Sequence, residues 1–195
     1  MAMAKPGSAQ PKAPKARPKF AAPKPWPPKV PLGELEDILP LVEANDESID
    51  AVMLPPDLGD GFTAEAFGPK EVEYLCQRLE NNTSVTQLNL SMNPLGDEGA
   101  AHVAALLARP GLPLARLSLN GCGIGAQGAR HLASALAERP ELSVVELMNN
   151  RLGAEGGEAI LEALSKNKKL REVKVSFSSI PESIETKIEK ILMTR

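Results

Sequence analysis

The chain has 195 residues, of which 43% are apolar and only 3% aromatic, so a core must consist mainly of Leu, Val, Ile and Ala. Residues 1–31 hold seven Lys and Arg and no acid, whereas residues 34–195 carry a net charge of −10. No apolar run approaches the ~18 residues of a membrane helix, no secretory signal is evident, and two cysteines exclude a disulfide framework. We therefore expect a cytoplasmic protein of a reducing compartment that makes no membrane contact.

The first predicted segment is a basic, proline-rich arm, residues 1–31. It contains nine of the 18 prolines of the chain. Because proline fixes φ and removes a backbone donor, we expect this arm to be disordered or extended. It is either a solvated linker or an arm that lies on an acidic surface, such as tubulin, nucleic acid or another acidic protein. In the second interpretation the partner-binding residues are Lys15, Arg17, Lys19, Phe20, Lys24, Trp26 and Lys29.

Two helices are predicted before the regular part of the sequence begins. An acidic amphipathic helix is predicted over residues 35–44, with Pro40 inside it. A second helix is predicted over residues 72–79, with Pro69 near its start, where proline is well tolerated. We expect residues 32–48 to cap the N-terminal end of the repeats that follow.

The sequence from residue 85 onward repeats one pattern. Segments that begin at Val85, Leu114, Leu142 and Leu170 share the frame L-x-x-L-x-L-x-x-N/C-x-L, with degenerate positions in the last, at offsets of 29, 28 and 28 residues. A weaker copy begins at Ile49, 36 residues before Val85. The alternation buries one face of a short strand, and the residues after it have the apolar spacing of a helix. Each copy therefore predicts a strand followed by a helix.

This frame and its period resemble the leucine-rich repeats of ribonuclease-inhibitor-like proteins. The resemblance covers about residues 49–180. It implies an α/β fold, a short right-handed solenoid of about five parallel strands with the helices on the convex side and helical caps. In the family, the positions of Asn93, Cys122 and Asn150 bond neighbouring backbone groups, so Cys122 is expected to be structural.

A closing helix is predicted at the C-terminal end, within residues 181–195, and we expect it to pack over the last strand, 173–175. The domain would then extend over residues 32–195. Repeats that end in such a helix are similar to the C-terminal domain of tropomodulin. This similarity includes no motif that would transfer actin-binding residues to the present chain.

No catalytic, metal or cofactor site is predicted. The sequence lacks a G-x-x-x-x-G-K-[ST] phosphate loop, and no spacing of Ser, His and Asp indicates a nucleophile. His102 and His131 occupy equivalent repeat positions, but two imidazoles are an incomplete zinc site. We therefore expect a protein without cofactors or enzymatic activity.

The concave strand face is the predicted binding surface, because solenoids usually bind partners there. Alternation predicts which strand residues face outward, Val144 among them. A merely solvated sheet face is the alternative at each position. The predicted partner-binding residues are Gln87, Asn89, Arg116, Ser118, Asn120, Glu146, Met148, Glu172 and Lys174.

Taken together, these features favour a protein-interaction module, an adaptor or structural subunit of a larger cytoskeletal or ciliary assembly. Its partner would be a protein, such as an acidic filament or a large complex, bound by the concave face and the arm. Two alternatives stay open, a nucleic-acid-associated protein that uses the arm and an inhibitor or regulator of a partner enzyme. The negative charge of residues 34–195 argues against nucleic acid, because it opposes phosphate binding. Self-association and the identity of the partner are not predicted.

Overall fold

A computed structural model describes residues 35–46, 49–54, 66–139 and 141–195. The predicted arm and its seven candidate binding residues lie outside the described residues. Helices and strands alternate along the described part of the chain. The elements are α1 (Leu35–Glu43), β1 (Ala51–Met53), α2 (Pro69–Leu79), β2 (Gln87–Asn89), α3 (Gly96–Leu107), β3 (Arg116–Ser118), α4 (Ala126–Ala137), β4 (Val144–Glu146), α5 (Gly153–Lys166), β5 (Glu172–Lys174) and α6 (Glu182–Met193).

The strands form one parallel sheet whose spatial order, β1-β2-β3-β4-β5, is their order in the chain. The middle residue of each strand is buried and in register with its neighbours; these residues are Val52, Leu88, Leu117, Val145 and Val173. β1 joins the sheet in the same register as the others, although 36 residues separate its copy of the frame from the next. The predicted α/β solenoid with five parallel strands is therefore confirmed.

The helices pack beside one another in a second layer, on the side of the strands opposite the predicted binding surface. Small residues near their N-termini bring them close together. A Cβ atom on Gly128 would lie 2.8 Å from Ile124 Cγ2 and 3.0 Å from Ala100 Cβ. Only glycine therefore fits at this point of α4. None of the helices in the described ranges is long and apolar enough to cross a membrane.

α6 packs against α5 as well as β5. A Cβ atom on Gly157 of α5 would lie 2.8 Å from Ile180 Cγ2 and 3.1 Å from Ile184 Cγ2. The predicted contact of this helix with the last strand is present, and α6 also extends the helical layer beyond α5. β5 is the last strand in the described part of the sheet.

A ladder of turn side chains ties each repeat to the preceding one. These side chains are buried, and each donates a hydrogen bond to a carbonyl at the end of the preceding strand. The bonds run from Asn93 to Leu54 (2.6 Å), Cys122 to Leu90 (3.2 Å), Asn150 to Leu119 (2.8 Å) and Ser178 to Leu147 (2.7 Å). Burial raises the pKa of the Cys122 thiol to about 12, so at neutral pH the thiol is an uncharged donor. Its expected structural role is confirmed.

A second ladder, absent from the sequence expectations, lies in the loops that follow the helices. Asn82 Nδ2 donates to the Val42 carbonyl of α1 at 2.8 Å. Asn167 Nδ2 donates to the Leu136 carbonyl of α4 at 2.7 Å. The last carbonyls of a helix have no partner within the helix. The second ladder supplies that partner from the next repeat.

Candidate functional site

The concave face consists of rows of side chains that cross the strands, and the structure brings the nine predicted residues together there. The first row contains Gln87, Arg116, Val144 and Glu172, and the second contains Asn89, Ser118, Glu146 and Lys174. The same spacing places Ser91, Asn120, Met148 and Ser176 in a third row, just after the strands.

The nine residues differ in how far a partner could reach them. Three of them are buried, Gln87, Asn89 and Ser118, with exposed fractions of 6%, 9% and 2%. Val144, predicted to face outward, is also buried because it lies between the longer side chains of its row. Six remain accessible: Arg116, Asn120, Glu146, Met148 and Glu172 are half-buried, and Lys174 is exposed.

A network of charged groups spans β3, β4 and β5 on this face, with the Glu146 carboxylate at its middle. The carboxylate accepts hydrogen bonds from Ser118 Oγ at 2.6 Å and Lys174 Nζ at 2.9 Å, and it pairs with Arg116 at 3.4 Å. Lys174 Nζ also lies 2.8 Å from the Glu172 carboxylate. Two cations thus face two anions, so the charges of these four groups balance.

The network keeps its members charged. Burial alone would raise the pKa of the Glu146 carboxyl. Hydrogen bonds from Ser118 and Lys174, with the charges of Lys174 and Arg116, outweigh burial and hold that pKa below its ordinary value of 4.5. The hydrogen bonds of Lys174 to Glu172 and Glu146 raise the pKa of its ammonium group above 10.5. Both partners are therefore ionised at neutral pH.

The Glu146 charge should stabilise the fold in a pH-dependent way. Since the pKa of its carboxyl is lower in the folded state, the stabilisation is complete above pH 4.5 and is lost as the pH falls through the folded-state value. We expect wild type to be more stable than Glu146→Gln at about pH 7, and the difference to shrink towards about pH 3. Urea unfolding at several pH values measures this difference, and a constant difference would contradict the role of the charge.

Two exposed apolar side chains at the edge of this face are missing from the sequence predictions. Phe177 is 82% exposed and Met92 is 48% exposed. Both have a positive φ, 60° and 67°, in the turn after the strand, where Gly121 and Asn149 stand in the other repeats. A left-handed backbone costs such residues roughly 1–2 kcal/mol. An alignment of the four copies shows Phe177 at a position where other repeats have Gly or Asn. Because its ring is also exposed, Phe177 is a further candidate contact residue.

Metal-binding groups and reactive thiols were both sought among the described residues. Among them, no group of three or more His, Cys, Asp or Glu side chains could hold a metal ion. Burial, with a smaller effect of the Glu80 charge, raises the pKa of the Cys76 thiol to about 12. Neither Cys76 nor Cys122 is thus a thiolate nucleophile at neutral pH.

Comparison with known sequences identifies the repeats. Residues 81–104 and 142–161 match the family model described as Leucine Rich repeat. Ribonuclease inhibitor of Mus musculus is 35% identical over 91 residues, which are 47% of this chain and 20% of that protein. NACHT, LRR and PYD domains-containing protein 13 of Homo sapiens is 36% identical over 98 residues, 50% of this chain and 9% of that protein. The chain thus spans a fifth or less of the length of these relatives.

Solved structures share the fold at low sequence identity. One is leiomodin-1 actin-binding site 2, with a TM-score of 0.70 and 19% identity, covering 81% of this chain and 87% of that one. Another is the tropomodulin C-terminal domain of Caenorhabditis elegans, with a TM-score of 0.67 and 14% identity, covering 83% and 92%. At these identities the likeness establishes the fold alone. The repeat pattern, the family match and the architecture together show that the chain contains leucine-rich repeats that fold as an α/β solenoid.

Proposed function

We propose that this protein is a non-enzymatic adaptor or structural subunit that binds a protein partner on its concave face. The observation that supports this most is the ordered network around Glu146. The Glu146 carboxylate lies 2.6 Å from Ser118 Oγ and 2.9 Å from Lys174 Nζ, so these side chains are positioned by one another without a partner. A preorganised surface loses little conformational entropy on binding, which favours affinity.

The size and charge of this face limit the kind of partner. Five strands about 4.8 Å apart give a face roughly 19 Å wide, which accommodates one helix about 10–12 Å in diameter or one extended segment. Because the network is neutral, the partner would be recognised by hydrogen bonds rather than by net charge. Met148 supplies apolar contact in the third row, and Phe177 supplies it at the edge.

We also propose a cytoskeletal setting, with an actin filament as the first partner to test. The similar fold of leiomodin-1 actin-binding site 2 supports this choice. In this proposal residues 1–31, with seven basic residues and no acid, add a contact with the acidic filament surface. The proposal keeps residues 32–195 as the repeat domain, with 32–48 and 181–195 as its expected caps. A ciliary assembly is the narrower form of the same proposal.

Filament co-sedimentation tests this function. We expect the full chain to sediment with actin filaments or microtubules, and Met148→Glu to weaken binding at least tenfold, because it places a charge against the partner. Glu158→Lys, on the exposed surface of α5, is the control that should bind like wild type. Deleting residues 1–31 should weaken binding mainly at low salt.

Three outcomes would contradict this proposal in different ways. Sedimentation with neither filament would exclude the cytoskeletal setting. Equal binding of wild type and Met148→Glu would exclude the concave face as the interface. Binding of duplex DNA that is lost with residues 1–31 would favour the nucleic-acid alternative instead.

A further inference from the structure

β5 is the last strand of the described sheet, and one of its edges pairs with no described strand. The first and last residues of β5 form backbone hydrogen bonds with the β4 side. Glu172 N donates to the Ser143 carbonyl at 3.1 Å, and the Lys174 carbonyl accepts from Leu147 N at 2.8 Å. Successive residues of a parallel strand bond to opposite sides, so the N–H and C=O of Val173 point away from β4. No described strand pairs with them there. Such an edge is a template for another strand.

The side chains along this edge are complementary to themselves. Glu172 and Lys174 flank Val173 on the concave face, and their side chains are 42% and 43% exposed. If two copies pair in antiparallel fashion with Val173 on the two-fold axis, each Glu172 stands opposite the Lys174 of the other copy. Moving the axis to Lys174 places two lysines opposite each other, and moving it to Glu172 places two carboxylates opposite each other. Directly opposed like charges destabilise a strand pair, so only the first register is favoured.

In α6, as in β5, acidic residues come before the basic residue along the chain. The helix contacts β5, its first turn holds Glu182 and Glu185, and its last turn holds Lys190. A two-fold axis that reverses β5 also reverses α6. The acidic end of α6 in one copy then lies towards the basic end in the other, which adds a second charge match.

We propose that the edge of β5 binds a second copy of this chain, so that two five-stranded sheets join in antiparallel fashion through Val173. The contact has two backbone hydrogen bonds at the axis and two Glu172–Lys174 pairs between copies. Exposed ion pairs contribute little individually. The dimer is therefore weak and dependent on concentration and salt, and it leaves most of each concave face open.

Sedimentation velocity of the full chain over about 5–500 μM tests the dimer. We expect wild type to associate and Glu172→Lys to associate at least tenfold more weakly, since it opposes two lysines in each half of the contact. Lys174→Glu by itself should also associate at least tenfold more weakly than wild type. An equimolar mixture of the two variants should associate again, because every lysine then faces a carboxylate. Glu158→Lys makes the same charge change on α5 and should behave as wild type.

Hydrogen exchange locates the contact. The Val173 amide should exchange slowly at high protein concentration and quickly at low concentration, and quickly at both in Glu172→Lys. Because Lys174 also pairs with Glu146, the folding of Lys174→Glu is checked by circular dichroism; if it unfolds, Glu172→Lys and the Val173 amide decide. A chain that stays monomeric, a Glu172→Lys variant that dimerises like wild type, or a Val173 amide insensitive to concentration would each overturn the proposal.

Discussion

Replacing Asn150 with Leu should destabilise the protein by about 3–5 kcal/mol, because several buried backbone groups would lose their hydrogen-bond partner at once. Asn150 Nδ2 donates to the carbonyls of Leu119 and Leu147 at 2.8 and 2.9 Å. Its Oδ1 accepts from the amides of Cys122 and Ile124 at 3.1 and 3.0 Å. Leu fills a similar volume but can bond none of these four groups.

Urea unfolding of the variant and two controls measures this effect. Asn149→Gly changes the neighbouring exposed residue, whose φ of 56° suits glycine, and should alter stability by less than about 0.5 kcal/mol. Cys122→Ala removes one weak donor and should cost about 1 kcal/mol. The side-chain ladder would lose its assigned role if Asn150→Leu proved as stable as Asn149→Gly.

Replacing Gly128 with Val should cost about 2–3 kcal/mol, because it inserts side-chain atoms where the helices are already in contact. The new Cβ atom would lie 2.6 Å from Asp97 Oδ1 and 2.8 Å from Ile124 Cγ2. It would also disturb the bond in which the Gly128 amide donates to Asp97 Oδ1 at 2.8 Å. That carboxylate lies at the start of α4, where negative charge is favourable.

Gly123→Ala is the matched control for this variant. Gly123 has a φ of 70° and nothing within 4 Å of an added Cβ, so only the backbone conformation opposes Ala there. The expected cost is roughly 1–2 kcal/mol. In thermal unfolding, Gly128→Val should have a lower melting temperature than Gly123→Ala and wild type. The reverse order of the two variants would contradict close packing of α3 and α4.

The repeated part of the fold can be predicted from the sequence because each copy encodes its own strand and turn. Alternation around Leu88 and Leu117 identifies the buried face, and the N/C position identifies the ladder. Even β1 is found, since the frame survives at Ile49 in spite of the longer spacing. The period supplies the register, because equivalent residues of adjacent copies become neighbours in the sheet.

The contacts between repeats are harder to predict. Alternation places Arg116, Glu146 and Lys174 on the concave face, but their mutual pairing depends on side-chain reach. The burial of Ser118 likewise depends on the lengths of its neighbours. The second ladder escapes prediction because its Asn is not kept in every repeat. Arg139 stands 28 residues before Asn167, and its guanidinium donates to the Leu112 carbonyl, which lies beyond the end of α3.

Hydrogen exchange on the filament-bound chain tests the concave binding face most directly. We measure backbone protection of the full chain with and without a saturating amount of the filament with which it sediments. We expect added protection across β3, β4 and the turns that follow them, including residues 116–120 and 144–148, with little change along α5. Protection confined to the helices, or no added protection on the strands, would contradict this expectation.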